Sequence, residues 1–212
     1  MTMGLRELKK RQTRQAISDT ATRLFLERGF EAVTVAEIAA AARVAKATVA
    51  GYFPRKEDLA LDCHETFTAD LARAVVARPE GESALAALRR EFLAAVERRE
   101  PGAGFSGPGF ARMVAGSPAL ASRLRELHDL REDALARALA ADTSAAPGDL
   151  TPRVVAAVLA AAHRTLFRHV LDLVAAGRSD QEIAAAATRS AHQVAGLLEA
   201  SLADYAVREA RS

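Results

Sequence analysis

The sequence predicts an all-α chain, with a small N-terminal three-helix domain that contains a helix-turn-helix, ahead of a larger helical domain. Three observations lead there. Apolar residues recur at three- and four-residue spacing along most of the length, Ser/Thr-Pro and Ser/Thr-x-x-Glu pairs open successive segments, and nothing alternates as a strand would.

Composition narrows the class of protein. Half of the 212 residues are hydrophobic, enough for a sizeable core and too many for a disordered chain. No uninterrupted apolar run approaches the roughly 18 residues of a membrane span, and residues 1–14 lack the apolar core of a secretion signal, so a soluble, cytoplasmic protein without a membrane partner is expected. Cys63 is the only cysteine, which excludes an internal disulfide and a cysteine-built zinc site and suggests a small buried hydrophobe. The net charge of +2 is unevenly spread. Residues 1–60 hold eleven Lys and Arg against seven Asp and Glu, a balance of +4, so the rest of the chain carries −2. A basic head on a mildly acidic body suits a polyanion partner for the head alone.

Residues 5–14 place Arg6, Lys9, Lys10, Arg11 and Arg14 within about three helical turns, as an arm able to follow phosphates or enter a minor groove. A first helix follows, with Ile17, Ala21, Leu24 and Phe25 as its buried stripe and Gly29 as its stop. Thr34 and Glu37 form a capping box that opens the second helix, whose apolar face is Ile38, Ala39 and Ala42. Arg43 and Val44 make the break. A third helix over residues 46–53 buries Val49 and Phe53 four residues apart and turns Lys46, Ala47, Thr48 and Tyr52 outward. Two short helices crossing steeply, the second with a donor-rich face, fit a DNA major groove. Phe25, Phe30, Ile38, Val49 and Phe53 make one small core for them.

Pro54 ends the third helix, and Lys56, Glu57 and Asp58 open one continuous connector carrying Leu59, Cys63, Phe67 and Leu71. Five further segments are expected. Ser83 caps one with Leu85, Leu88, Phe92 and Val96 inward, ending before a loose run over residues 100–109. Residues 110–115 form a short helix, and Ser117-Pro118 caps a longer one carrying Leu120, Leu124, Leu127 and Leu135. Thr151-Pro152 repeats that device for a helix reaching about Gly177. Ser179 and Glu182 box the last helix, through Ile183, Ala187, Val194, Leu198, Leu202 and Tyr205. The helix from Thr151 is apolar on two faces, Leu159-His163-Phe167-Val170-Val174 and Val155-Val158-Ala162-Leu166-Leu173. With the last helix it suits a four-helix bundle across a homodimer, or a monomer that buries both faces internally.

Chemistry sites are sparse. No catalytic residue, metal site or cofactor is expected: the glycines at 102–109 are broken by Pro108 and follow no strand, and the five histidines lack metal-ligand spacing, though they could converge in space. Phe67, Phe92, Phe110, Met113, His128, His163 and Phe167 can point inward from several body segments. They are candidates to line a pocket for a small apolar or amphipathic molecule, and each is equally a plain core residue.

The order Arg14, Ile17, Ala21, Leu24, Phe25, Gly29, Phe30, Thr34, Val35, Ile38, Ala39, Val44, Thr48, Val49, Tyr52, Phe53, Lys56, Glu57, Asp58, Leu59 resembles the N-terminal domain of TetR-family transcriptional regulators. The resemblance implies a DNA-binding domain over residues 1–56 and a C-terminal helical regulatory domain, for ligand binding and dimerisation, over residues 57–212. It implies a homodimer through the last two helices, binding palindromic double-stranded operator DNA, repressing nearby genes and released by a small-molecule effector. By position it assigns Thr34, Thr48 and Lys56 to phosphates, and Lys46, Ala47 and Tyr52 to the groove. Three positions depart from the family pattern: Arg43 stands where Gly is frequent, Ala45 where a Ser commonly caps the recognition helix, and Ala50, beside Gly51, where a tyrosine commonly contacts the backbone. Two other readings are a helical ligand-binding protein whose head has lost operator binding and an all-helical metal-dependent enzyme.

Overall fold

Capping, stripe spacing and glycine stops together dictate a chain of helices, and the computed structural model, which describes residues 4–208, contains ten of them and no strand among the described residues. The packing divides into two units. One comprises the chain up to His64 with residues 112–124, the other residues 65–111 with the chain from Arg125 onward. Residues 1–3, part of the start judged to lack a secretion signal, lie outside the described residues.

In the first unit, α1 runs unbroken over Leu5–Arg28. The arm expected at residues 5–14 is therefore the first half of a helix, because nothing between it and Ile17 breaks the helical run. Arg14 is drawn out of that basic set altogether. Its guanidinium lies 4.5 Å over the Phe53 ring, donates to the Asp62 carbonyl at 3.1 Å and pairs with the Asp62 carboxylate at 2.7 Å. Helices α2 (Val35–Ala41), α3 (Lys46–Tyr52) and α4 (Lys56–Ala60) follow. Ile17, Ala21, Phe25, Phe30, Val33, Ile38, Val49, Phe53 and Leu59 form their buried core, with the Phe25 and Phe30 rings 5.0 Å apart.

The single connector helix is not formed: α4 stops at Ala60, and α5 begins at His64 and runs to Val76. Leu61 leaves the helical region (φ −106°, ψ 48°), and the Asp62 carbonyl is taken by Arg14. Cys63, placed at that break, is exposed rather than buried. Two polar locks within this unit tie residues 112–124 to the head. The Ser117 hydroxyl donates to the Glu31 carboxylate at 2.7 Å while accepting from the Leu120 N–H, and Arg123 holds the buried Asp58 at 2.8 Å.

The second unit contains α5, α6 (Ala84–Glu97), α9 (Thr151–Ala175), α10 (Asp180–Leu202), the start of α7 (Pro108–Gly116) and α8 (Pro118–Asp142) from Arg125. Helix α6 packs on α10, and α10 on α9. One apolar cluster gathers Leu71, Val75, Leu88, Leu135, Leu139 and Leu159; another gathers Phe92, Phe105, Leu166, Val170, Ile183 and Ala187. Ser83 and Ser179 cap their helices as expected, but Thr151 does not: it is the first residue of α9, and its N–H is accepted by the Asp149 carboxylate at 2.8 Å.

The loose run over residues 100–109 contains a short 3-10 turn at Pro101–Ala103 that ends on Gly104, with φ 107°. A Cβ there would meet the Phe167 carbonyl oxygen at 2.8 Å and the Val170 Cβ at 2.9 Å, so only glycine lets this turn lie flat on α9.

Among the described residues one helix is long and apolar enough to cross a membrane by length and composition, which counting uninterrupted apolar runs overlooks. This is α9, and it carries Arg153, His163, Arg164, Arg168 and Asp172 while burying Val155, Leu159, Leu166, Phe167, Val170 and Val174 inside the protein, the pattern of a core helix.

Candidate functional site

The capping box at the start of α2 is complete. The Thr34 hydroxyl accepts from the Glu37 N–H at 3.2 Å, and the Glu37 carboxylate accepts from the Thr34 N–H at 2.8 Å. Arg28 adds a 2.6 Å ion pair, and these bonds, led by the Thr34 backbone N–H, lower the Glu37 pKa to about 2.

The turn into α3 is a Schellman motif: the Val44 N–H reaches the Ala39 carbonyl at 3.0 Å and the Arg43 N–H the Ala40 carbonyl at 3.1 Å. That geometry requires a left-handed residue, and Arg43 supplies it at φ 57° where α9 ends with Gly177 in the same role at φ 71°. A side chain in that conformation costs about 1 kcal/mol. At the other end of the turn Ala45 provides no side-chain cap for α3, forgoing about another 1 kcal/mol.

Helix α3 is thus held by its neighbours more than by itself. Val49 is fully buried and Phe53 nearly so, which fixes which face turns out. On that face Lys46 and Ala47 are exposed and Thr48 and Tyr52 half-exposed. Lys56 is more constrained than its assignment implies. Its ammonium stands 4.3 Å over the Phe30 ring and donates to the Glu31 carbonyl at 3.5 Å, so it supports the core as well as facing outward.

In the second unit the structure joins most of the inward-pointing residues. The Phe67, His128 and Phe167 rings form a mutually edge-on triangle with centroids 5.1, 5.4 and 5.7 Å apart, and Phe92 meets His163 edge-on at 5.8 Å. Phe92 and His163 border two small cavities, of about 20 and 60 Å³. Phe67, Phe110, Met113, His128 and Phe167 border neither, and Met113 belongs to the first unit.

A charged pair that sequence reasoning missed stands among these rings. Arg131, only 4% exposed, donates two bonds of 2.6 and 2.7 Å to the Asp70 carboxylate and lies 4.5 Å over Phe67. The signal was present: Arg131 occupies an apolar-stripe position, four residues after Leu127 and four before Leu135. Gly104 and Leu85, Leu88, Leu159 and Leu198 on the smaller cavity were likewise not singled out as site residues.

Burial drives both histidines neutral. The pKa of His128 and of His163 falls to about 3, chiefly by desolvation and then by the positive charge of Arg131. The His128 Nε2 atom is buried without a hydrogen-bond partner, an arrangement that costs about 1–3 kcal/mol. Among the described residues no three His, Cys, Asp or Glu gather as a metal site, so the histidines do not converge. Space of about 60 Å³ holds a few waters, whereas ligand pockets span roughly 300–1,000 Å³. Neither cavity as it stands has room for a drug-sized ligand.

Residues 17–63 match the family described as bacterial regulatory proteins, tetR family. Over 171 residues the chain is 33% identical to the HTH-type transcriptional regulator TcmR of Streptomyces glaucescens, covering 78% of this chain and 76% of that protein. NalD, the secondary repressor of the MexAB-OprM multidrug efflux pump in Pseudomonas aeruginosa, has a TM-score of 0.55 at 20% identity, covering 92% of this chain and 98% of that one. The SmeT–triclosan complex has a TM-score of 0.56 at 18% identity, covering 94% and 96%. The two solved structures speak for the fold, and the TcmR match, over most of both chains, carries the kinship. The chain belongs to the TetR family of transcriptional regulators.

Proposed function

We propose that this regulator binds palindromic operator DNA as a homodimer, represses nearby genes, and lets go when a small apolar or amphipathic effector occupies the body. The observation that carries the DNA-binding part is α3, anchored by buried Val49 and Phe53 so that Lys46, Ala47, Thr48 and Tyr52 form one outward face. Lys46 reads a base edge, since its ammonium can donate to guanine O6 and N7, while Ala47 and Tyr52 line the groove. Thr34, Thr48 and Lys56 hold phosphates. In this reading residues 1–56 are the DNA-binding domain and residues 57–212 the ligand-binding and dimerisation domain. The protein acts in the cytoplasm, without a cofactor or membrane partner, and is not an enzyme.

Support for the dimer comes from apolar side chains left outside on the last two helices. Val154 is 59% exposed, Val158 40% and Leu197 75%. A second copy would cover them as a four-helix bundle. Support for the effector site comes from Phe67, Phe92, His128, His163 and Phe167 around a polar pair, with Phe110 and Met113 kept as outlying candidates.

Fluorescence anisotropy with DNA from upstream of the protein's own gene tests the reading. The Lys46→Ala variant is expected to lose preference for the matched operator over a scrambled one. Lys56→Ala is expected to weaken both alike, with a smaller salt slope, and to lower stability because Phe30 loses its cation. Equal losses on both DNAs for both variants would sink the distinction. Full effector binding by a protein that ignores every DNA would favour a ligand-binding protein with a silent head.

A further inference from the structure

We propose that the body core selects a neutral aromatic molecule bearing a phenolic hydroxyl, and that His128 Nε2 is the atom that selects it. This rests on reading the body as the effector-binding part. His128 is 3% exposed, and its Nε2 is buried with no hydrogen-bond partner, an unmet polar demand set among aromatic rings, unlike the hydroxyls of Ser106 and Tyr205, which are also unpartnered. The rings of Phe67 and Phe167 stand edge-on to the imidazole at 5.1 and 5.4 Å. Whatever satisfies Nε2 is therefore flanked by aromatic surface.

The surrounding charge decides the polar group. The imidazole is neutral near pH 7, so a hydroxyl serves either tautomer, donating to a bare Nε2 or accepting from Nε2–H. One turn along α8, the Arg131 guanidinium is already held bidentate by Asp70. A carboxylate entering here would have to displace Asp70 or stay buried without a counter-ion, and an ammonium would find the same carboxylate occupied. Arg164 and Arg168 on α9 add positive field at His128, which favours the acidic hydroxyl of a phenol over an alcohol. Neither small cavity is lined by His128, though the larger one is bordered by its neighbour Arg131, so the ligand reaches Nε2 by opening space among the rings.

Calorimetric titration of the full-length protein with 2-naphthol, 2-methylnaphthalene and 2-naphthoate tests the inference. 2-Naphthol should bind about tenfold tighter than either of the others. Equal binding of 2-naphthol and 2-methylnaphthalene, tighter binding of 2-naphthoate, or no binding of 2-naphthol overturns the proposal. In His128→Phe the advantage of 2-naphthol should vanish, and in His128→Gln part of it should return. An advantage that survives in His128→Phe also overturns it, and if that variant does not fold the wild-type ranking still decides. Operator release, measured in parallel, separates this proposal from the broader reading. If 2-methylnaphthalene binds and releases operator as well as 2-naphthol does, the effector core stands and hydroxyl selection is wrong. If 2-naphthol binds through His128 while operator affinity stays constant, hydroxyl selection stands and the regulatory reading fails.

Discussion

In the head, Arg14 and Lys56 lay their cations over Phe53 and Phe30 at a half-buried edge, and the face of α3 that turns outward is small and thinly polar. In the body, Arg78 and Arg131 are carried inside. Arg78, fully buried, pairs with Asp142 and donates to the carbonyls of Val75, Glu82 and Ala206, pinning residues near the end of the chain, while Arg131 grips Asp70 among aromatic rings. The outward face of α3 is therefore set by buried Val49 and Phe53, and the head's weakness is local: an uncapped α3 and a strained Arg43. The body is well braced by these pairs, and among its described residues Ser106 Oγ, Tyr205 Oη and His128 Nε2 are buried without a hydrogen-bond partner. A head held by its own small core, and a separate core in which an effector would have to make room, suit the proposed ligand-released regulator.

Acid should separate the two regions most. His128 and His163 have folded pKa values of about 3 against roughly 6.5 in the unfolded chain. The unfolded state then binds protons that the folded state refuses, so their stabilisation is complete above pH ~6.5 and is lost as the pH falls toward 3. Glu37 in the head, held at about 2 against an ordinary value of 4.5, contributes above pH 4.5 and loses its share only between there and 2. Amide exchange at pH 5 should show α8 and α9 loosened while α2 keeps its protection, and His128→Phe should flatten the body's response. Equal loosening of both regions would break the comparison.

Removing one partner of a buried pair comes next. Arg131→Ala in the body and Asp58→Ala in the head should each cost about 3 kcal/mol in urea unfolding, since each strands an opposite charge in poorly solvated surroundings. Gly104→Ala should cost about 2 kcal/mol, from its φ of 107° and its contact with the Phe167 carbonyl. Smallest are two gains in the head: Arg43→Gly and Ala45→Ser should each stabilise it by up to about 1 kcal/mol. A loss in either would show that the turn is not where the head is weak.

Much of the head was legible because its determinants are local. A capping box, a glycine stop and apolar residues three or four apart specify α1 to α3 within a few turns of chain, whereas Arg43 stood out only as a side chain where the family often has Gly, and its left-handed φ of 57° is seen in the fold. The break at residues 61–63 was not, because it depends on Arg14, 48 positions away, taking the Asp62 carbonyl. The expected cap at Thr151 failed for the opposite reason, a nearer competitor, Asp149. In the body the aromatic and histidine residues were picked out by their inward spacing. The Arg131–Asp70 pair, 61 residues apart, and the seat of Gly104 on α9 depend on tertiary contact, which no spacing rule reports.

The most direct test of the account is the operator preference of the full-length protein. Anisotropy should show matched upstream DNA bound well above its scrambled counterpart at one fixed salt concentration, with the preference abolished in Lys46→Ala while residual binding persists. Equal affinity of the wild-type protein for matched and scrambled DNA would contradict it.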